Sequence, residues 1–496
     1  MAEPGGVQAP AIRAQGWTGR VAGATAGVAV AVANLSAVLA NVDQIRLFLW
    51  ERLGLLGLEN LHLTAVMVVG ALVVYFAVSA VIYFLLVRGR KRIAIAYWAL
   101  VALMSPAIGY ITFSELGPSR TPAMIDEQIL RLNQTTRSQF SPLTQSTGAF
   151  RFSLAQTTEN PQGWTSAQAL AAVLSTPGDL SDRDARMARL TLAYLEQVRT
   201  PDGWGYQDGD PVGVTEIDAW AIISEAMSFN PRFAHKIWGE NRAAGLSRVQ
   251  HHLAMLAARQ NVDGGWGPLG RSDNQSHART YSTVMALMAF LQAAHQPDIA
   301  NDERWAYDSV IARGVRWLLL HVQTSTDGAE GWYPNPSLPR QTGECLGLTA
   351  QAIYVLQLAQ DSLGGPSGDP AFVEARHAFL TQALEGVPRV TGALSAADRD
   401  FHFNCRVHDT DIYLPGVPGF RLEPSTFLWF PWSLAAVSAM ADDQSLTPAE
   451  RNMTRTLELL LAQRMGEATD SAHDDQALYV VAETLYAAHV NVASRH

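Results

Sequence analysis

Four Gly-Trp pairs punctuate this chain: Gly163-Trp164, Gly203-Trp204, Gly265-Trp266 and Gly331-Trp332. A Gln precedes each, at Gln156, Gln197, Gln260 and Gln323. The glycine allows a tight turn with positive φ, and the indole offers a large apolar face to whatever packs over that turn. Helix-like segments stand before the last three pairs (MARLTLAYLEQ, RVQHHLAMLAARQ, GVRWLLLHVQ). A second apolar segment follows every pair (AQALAAVL, EIDAWAIISEAM, RTYSTVMALMAFL, CLGLTAQAIYVLQLA). The unit is therefore helix, turn, loop, helix, repeating every roughly 40 to 65 residues. Two degenerate units follow, ending in STFLWFPWSLAAVSAM and DDQALYVVAETLYAAHV, so the pattern predicts about six hairpins. The second helices are apolar and rich in small residues, as an inner ring buried on both sides requires. The first helices are amphipathic, as an outer ring requires. Long β-branched runs are rare, which makes the class all-α.

The first 120 residues read differently. Val21–Val42, Leu63–Val87 and Ile93–Phe113 are apolar runs, expected as three transmembrane helices, with Pro106 kinking the third. Arg13 and Arg20 before the first run leave a cleaved signal peptide as a competing reading. Between the first two runs, residues 43–62 with Trp50 suit a helix lying at the interface. Arg88, Arg90, Lys91 and Arg92 sit between the second and third runs, and the positive-inside rule places that loop in the cytoplasm. The expectation is a multi-pass cell-membrane protein with a membrane domain over 1–120 and an extracytoplasmic helical domain over 121–496. The overall composition, 48% hydrophobic and 17% charged, fits that division. A formal net charge of -10 argues against a nucleic-acid partner.

Gln260, Gly264 and Trp266, with Leu256 four residues before the Gln, resemble the QW motif of squalene–hopene and oxidosqualene cyclases. That repeat is shared with protein prenyltransferase β-subunits. The resemblance covers roughly residues 140 to 490 and implies an (α/α)6 toroid around a central cavity. It also implies site residues. Ala472-His473-Asp474-Asp475-Gln476-Ala477 is similar to the D-x-D-D-T-A acid motif of class II terpene cyclases, with Ala for the first Asp and Gln for the Thr. By position Asp474 would be the proton donor, beside His473 and Asp475. Glu216 and Asp218 form a second, incomplete acid motif at the start of an inner helix. Both pairs read more simply as helix-capping acids.

Aromatic residues crowd the inner helices: Trp220, Tyr281, Tyr354, Phe427, Trp429, Phe430, Trp432 and Tyr479. In a cyclase such faces stabilise a carbocation; in any helical ring they also serve as core. Arg279, beside Tyr281 and near His277, could meet an anionic head group. Asp400, His402, Cys405, His408, Asp409 and Asp411 offer metal-ligand types, but the zinc set of a prenyltransferase is incomplete, so no metal or cofactor is expected. Cys345 and Cys405 could instead pair. The resemblance thus implies a terpenoid-cyclase-like protein with a hydrophobic or isoprenoid ligand, and the apolar runs add a membrane anchor with the lipid bilayer as partner. A non-catalytic toroid binding a lipid, peptide or protein is the alternative.

Overall fold

The computed structural model describes residues 148–150, 161–205, 210, 212–269, 278–324, 330–334, 336, 346–363, 368–387, 406–407, 425–426, 429–441, 443–470 and 478–493, together with Ser79, Trp98 and Val101. The chain divides into two compact units, residues 1–123 and 124–496. Of the three apolar runs near the N-terminus, only Ser79, Trp98 and Val101 are described, and each is helical. The rest of those runs lies outside the described residues. Among the described residues, no helix is long and apolar enough to cross a membrane.

The second unit is built from hairpins. Its longer helices in chain order are α1 (Gly163–Leu174), α2 (Asp182–Val198), α3 (Thr215–Met227), α4 (Arg242–Ala258), α5 (Thr280–Ala294), α6 (Asp308–Leu320), α7 (Leu346–Leu363), α8 (Pro370–Gly386), α9 (Trp429–Ala439), α10 (Pro448–Asp470) and α11 (Leu478–Ala493). The odd-numbered helices form an inner ring. Each packs on the next, and α11 returns to α1. The even-numbered helices lie outside, each against the inner helix that precedes it or follows it. Two short antiparallel pairs sit in the connections: β1 (Gln323–Thr324) with β2 (Glu330–Gly331), and β3 (Arg406–Val407) with β4 (Ser425–Thr426).

The local sequence explains each layer. In α2 the buried Ala185, Ala188, Leu192 and Leu195 recur every three or four residues, so one stripe faces inward. Ser181 caps that helix by accepting from Asp184 N at 3.1 Å. Thr447 and Glu450 form a reciprocal box at the start of α10, with N···O distances of 2.9 and 3.2 Å. The inner helices are buried on nearly every face, which is why Ala, Ser and Thr dominate them.

Four described corners share one bond. The N–H of the turn aromatic donates to the fourth residue of the following inner helix. The pairs are Phe150 to Ser166 at 2.8 Å, Trp204 to Asp218 at 2.7 Å, Trp266 to Thr283 at 3.0 Å and Trp332 to Thr349 at 3.1 Å. The indole N–H of Trp204, Trp266 and Trp332 then caps the last turn of the outer helix, at Leu195 O, Leu256 O and Leu318 O, 2.7 to 2.9 Å away. Gln260 Nε2 bridges Gly264 O and Val310 O, both at 2.8 Å, so this Gln ties its turn to the next hairpin. Gly264 has φ +102°, and a Cβ there would meet Arg313 O at 2.6 Å, which restricts the position to glycine.

One corner departs from the sequence expectation. Gly163-Trp164 is not a turn; it opens α1, and Trp164 Nε1 donates to Gln162 Oε1 at 2.6 Å. The first corner is Gly148–Phe150, with Gly148 at φ +80° and a fully buried phenyl in the indole's place. Its glycine-to-aromatic spacing matches Gly264 to Trp266, which a search for Gly-Trp pairs misses.

Candidate functional site at the ring axis

The corner bonds set the rotation of each inner helix. The fourth residue points outward to the turn. Residues two and six are each about 200° from it and point toward the axis. At position two stand Trp164 in α1, Glu216 in α3 and Tyr281 in α5. All three are half-buried in helices that are otherwise closed to solvent along this N-terminal half. They form the mouth of the ring. Ser282 Oγ donates to Glu216 Oε1 across α3 and α5.

Position six forms a deeper tier, with Gln168 in α1, Trp220 in α3, Met285 in α5 and Gln351 in α7, and Glu483 of α11 joins it through Gln168, each at most 4% exposed. Apart from Met285, this tier carries polar groups where a ring core should be apolar. Gln168 Nε2 donates to Glu483 Oε1 at 3.1 Å, and Trp432 Nε1 donates to Glu483 Oε2 at 2.6 Å. Burial pushes the Glu483 carboxyl up to about 8, against the opposing effect of the Trp432 bond, so it is protonated at neutral pH. Gln168 Oε1, Trp220 Nε1 and Gln351 Oε1 are buried without hydrogen-bond partners. Each such atom costs about 1–3 kcal/mol.

Below this tier the aromatics pack on one another. Trp432 lies 6.4 Å from Trp220, 5.9 Å from Tyr354 and 6.0 Å from Tyr486. Gln292 Nε2 donates to Tyr486 OH at 2.8 Å, and the Tyr354 and Tyr486 hydroxyls are 3.3 Å apart. Burial pushes the Tyr354 phenol up to about 12, and burial with the neighbouring Tyr354 raises Tyr486 further, so both stay neutral donors. The ring closes through the Gln168–Glu483 bond and through Ser175 Oγ, 2.7 Å from His489 Nδ1.

The sequence-predicted acids separate. Glu216 faces the mouth, but Asp218 is the fourth residue of α3 and points to the corner. There it accepts from Trp204 N and pairs with the Arg259 guanidinium, which also donates to Asp202 O at 2.7 Å. Burial raises the Asp218 carboxyl to about 6, with Arg259 opposing. Asp218 therefore does the work of Thr283 and Thr349 and shares no site with Glu216. His473, Asp474, Asp475, Phe427, His277, Cys345 and Cys405 lie outside the described residues. Tyr479 belongs to α11, but its side chain is not among those described. Trp429 and Phe430 stack at 4.7 Å within α9. Arg279 ends the loop before α5, half-buried, its N–H donating to Trp266 O at 2.8 Å.

No family model and no curated protein matches the sequence. Solved structures do match. D-mannose isomerase superposes with a TM-score of 0.50 at 13% identity, covering 75% of this chain and 97% of that one. The fold is an α/α toroid. An α-1,6-mannanase, GH76A of Salegentibacter sp. HEL1_6, gives 0.47 at 11% identity, covering 74% of this chain and 99% of that one. The type II terpene cyclase MstE from Scytonema gives 0.28 at 13% identity, covering 68% and 98%.

These findings correct the functional expectation. The solved toroids matched include a mannose isomerase at a TM-score of 0.50 and family 76 glycoside hydrolases at 0.44 to 0.48, against 0.28 for the terpene cyclase. The toroid's axis agrees, because its second tier holds unpartnered polar atoms that an isoprenoid could not satisfy. Trp220, Tyr354 and Trp432, expected to line an apolar cation cavity, are packed against one another instead. A hydrophobic or isoprenoid ligand, a lipid-bilayer partner and the lipid-, peptide- or protein-binding alternative are therefore not retained. The expected membrane spans lie outside the described residues apart from Ser79, Trp98 and Val101, and no described helix is long and apolar enough to span. Glu483, Tyr486, Gln168 and Gln292 were missed. Their signal was a lone acid in VVAETLYAAHV, on the face shared by Tyr479 and Tyr486 at helical spacing.

Proposed function

We propose that the toroid takes a sugar at the N-terminal mouth of its inner ring and acts on it by proton transfer, with Glu483 as the acid. One observation carries this reading. Gln168, Trp220 and Gln351 turn unpartnered donors and acceptors toward the axis at one level, around a carboxyl that is protonated at neutral pH. A polyhydroxylated ligand supplies both donors and acceptors; a hydrocarbon supplies neither. Trp164 and Tyr281 at the mouth offer faces to the C–H side of a pyranose, and Glu216 offers a carboxylate to its hydroxyls. The shared fold of a D-mannose isomerase makes D-mannose the first ligand to try.

Isothermal titration of the full chain with D-mannose and α-1,6-mannobiose tests the reading, with farnesol as the apolar control. Trp220→Phe removes one unpartnered N–H. It should weaken sugar binding about tenfold, the worth of a buried hydrogen bond to a ligand, while leaving the ligand-free protein as stable or more so. Glu483→Gln should keep binding and abolish turnover, with isomerised or cleaved product identifying the reaction. Farnesol binding with no sugar binding, or equal sugar affinity in Trp220→Phe, would refute it.

A further inference from the structure

The geometry points to a divalent-cation site of zinc type between the rings, remote in register from the polar tier, formed by His252 and Glu196 and braced by Glu225. His252 and Glu225 are fully buried, and Glu196 is half-exposed on α2. Carboxylate and imidazole atoms of the three residues lie within 4.8 Å of one another.

Both ring nitrogens of His252 face carboxylates. His252 Nδ1 lies 2.7 Å from Glu225 Oε2, so a neutral imidazole donating there carries its lone pair on Nε2. His252 Nε2 is buried and has no hydrogen-bond partner. It faces Glu196 Oε2 at 3.7 Å, and that oxygen also lacks a hydrogen-bond partner. In that tautomer two lone pairs face each other across a gap too long for a hydrogen bond. Two ligands held about 2.0–2.2 Å from one zinc ion stand about 3–4 Å apart, which is this separation. Glu225 then serves as the carboxylate that fixes a metal-binding histidine.

The surrounding charges leave these atoms clear. Arg248 Nε engages Glu225 Oε1 at 2.9 Å, and Arg199 Nη2 engages Glu196 Oε1 at 3.4 Å, so each guanidinium takes the oxygen facing away from the gap. The Trp204 ring meets His252 edge-on at 4.9 Å and holds the imidazole plane. Because His252 lies on α4, Glu196 on α2 and Glu225 on α3, an ion here clips two outer helices to one inner helix. Waters would complete its shell.

Equilibrium dialysis of the full chain against micromolar zinc, followed by elemental analysis, tests the site. Wild type should retain one equivalent that Glu196→Gln loses or binds at least tenfold more weakly, and zinc should raise the Tm of wild type alone. Glu196→Gln sits on a half-exposed position, so circular dichroism should show an unchanged fold. Cobalt in place of zinc should give visible absorption bands in wild type that Glu196→Gln lacks. No retained zinc in wild type, or equal retention in the variant, would overturn the site.

Discussion

Glu483 makes a quantitative demand on stability. Its carboxyl rises from an ordinary 4.5 to about 8 because the folded ring removes it from water. Between those values the folded chain holds a proton that the unfolded chain has released. Stability is therefore fully present below pH 4.5, falls as pH rises, and levels off above the folded value. At about 1.4 kcal/mol per pH unit the whole loss is roughly 5 kcal/mol, of which about 3.5 kcal/mol falls between pH 5 and 8. Glu483→Gln removes the titration while preserving the contacts. A Gln carbonyl accepts from Trp432, and its amide donates to Gln168 Oε1 once the Gln168 amide, whose Nε2 faces Glu483 Oε1 in the native ring, turns over. Urea unfolding of both proteins, followed by tryptophan fluorescence from pH 5 to 8, measures the difference directly. Asp218, raised to about 6, titrates in both proteins and cancels. The variant should gain about 3.5 kcal/mol on wild type across that range. A difference that stays constant with pH would show that Glu483 is not held protonated, and would remove the acid from the proposed chemistry.

Two structural predictions accompany it. Thr283→Val leaves Trp266 N–H buried without its acceptor, 3.0 Å away in the native turn, and should cost about 1–3 kcal/mol in urea unfolding; a neutral result would refute the corner-bond account. Arg376, 1% exposed, pairs with Asp443 at 3.1 Å and Glu450 at 3.4 Å between α8 and the start of α10. Arg376→Met should cost about 3–5 kcal/mol at pH 7, because it leaves two buried carboxylates without their shared cation, and the loss should shrink at low pH as they protonate.

The sequence by itself determined the hairpins, their inner and outer layers and three of the corners, because helical periodicity and a glycine beside a buried indole are local signals. Glu216 and Asp218 show where local signals stop: two residues apart on one helix, they face opposite ways. Only the bond from the Trp204 N–H sets the rotation that sends one to the corner and the other to the mouth. The polar tier was decided by tertiary structure alone. Gln168 and Glu483 are 315 residues apart and meet only because the ring closes. Whether a buried polar atom is satisfied depends on partners from other helices, and no stretch of chain read alone encodes that.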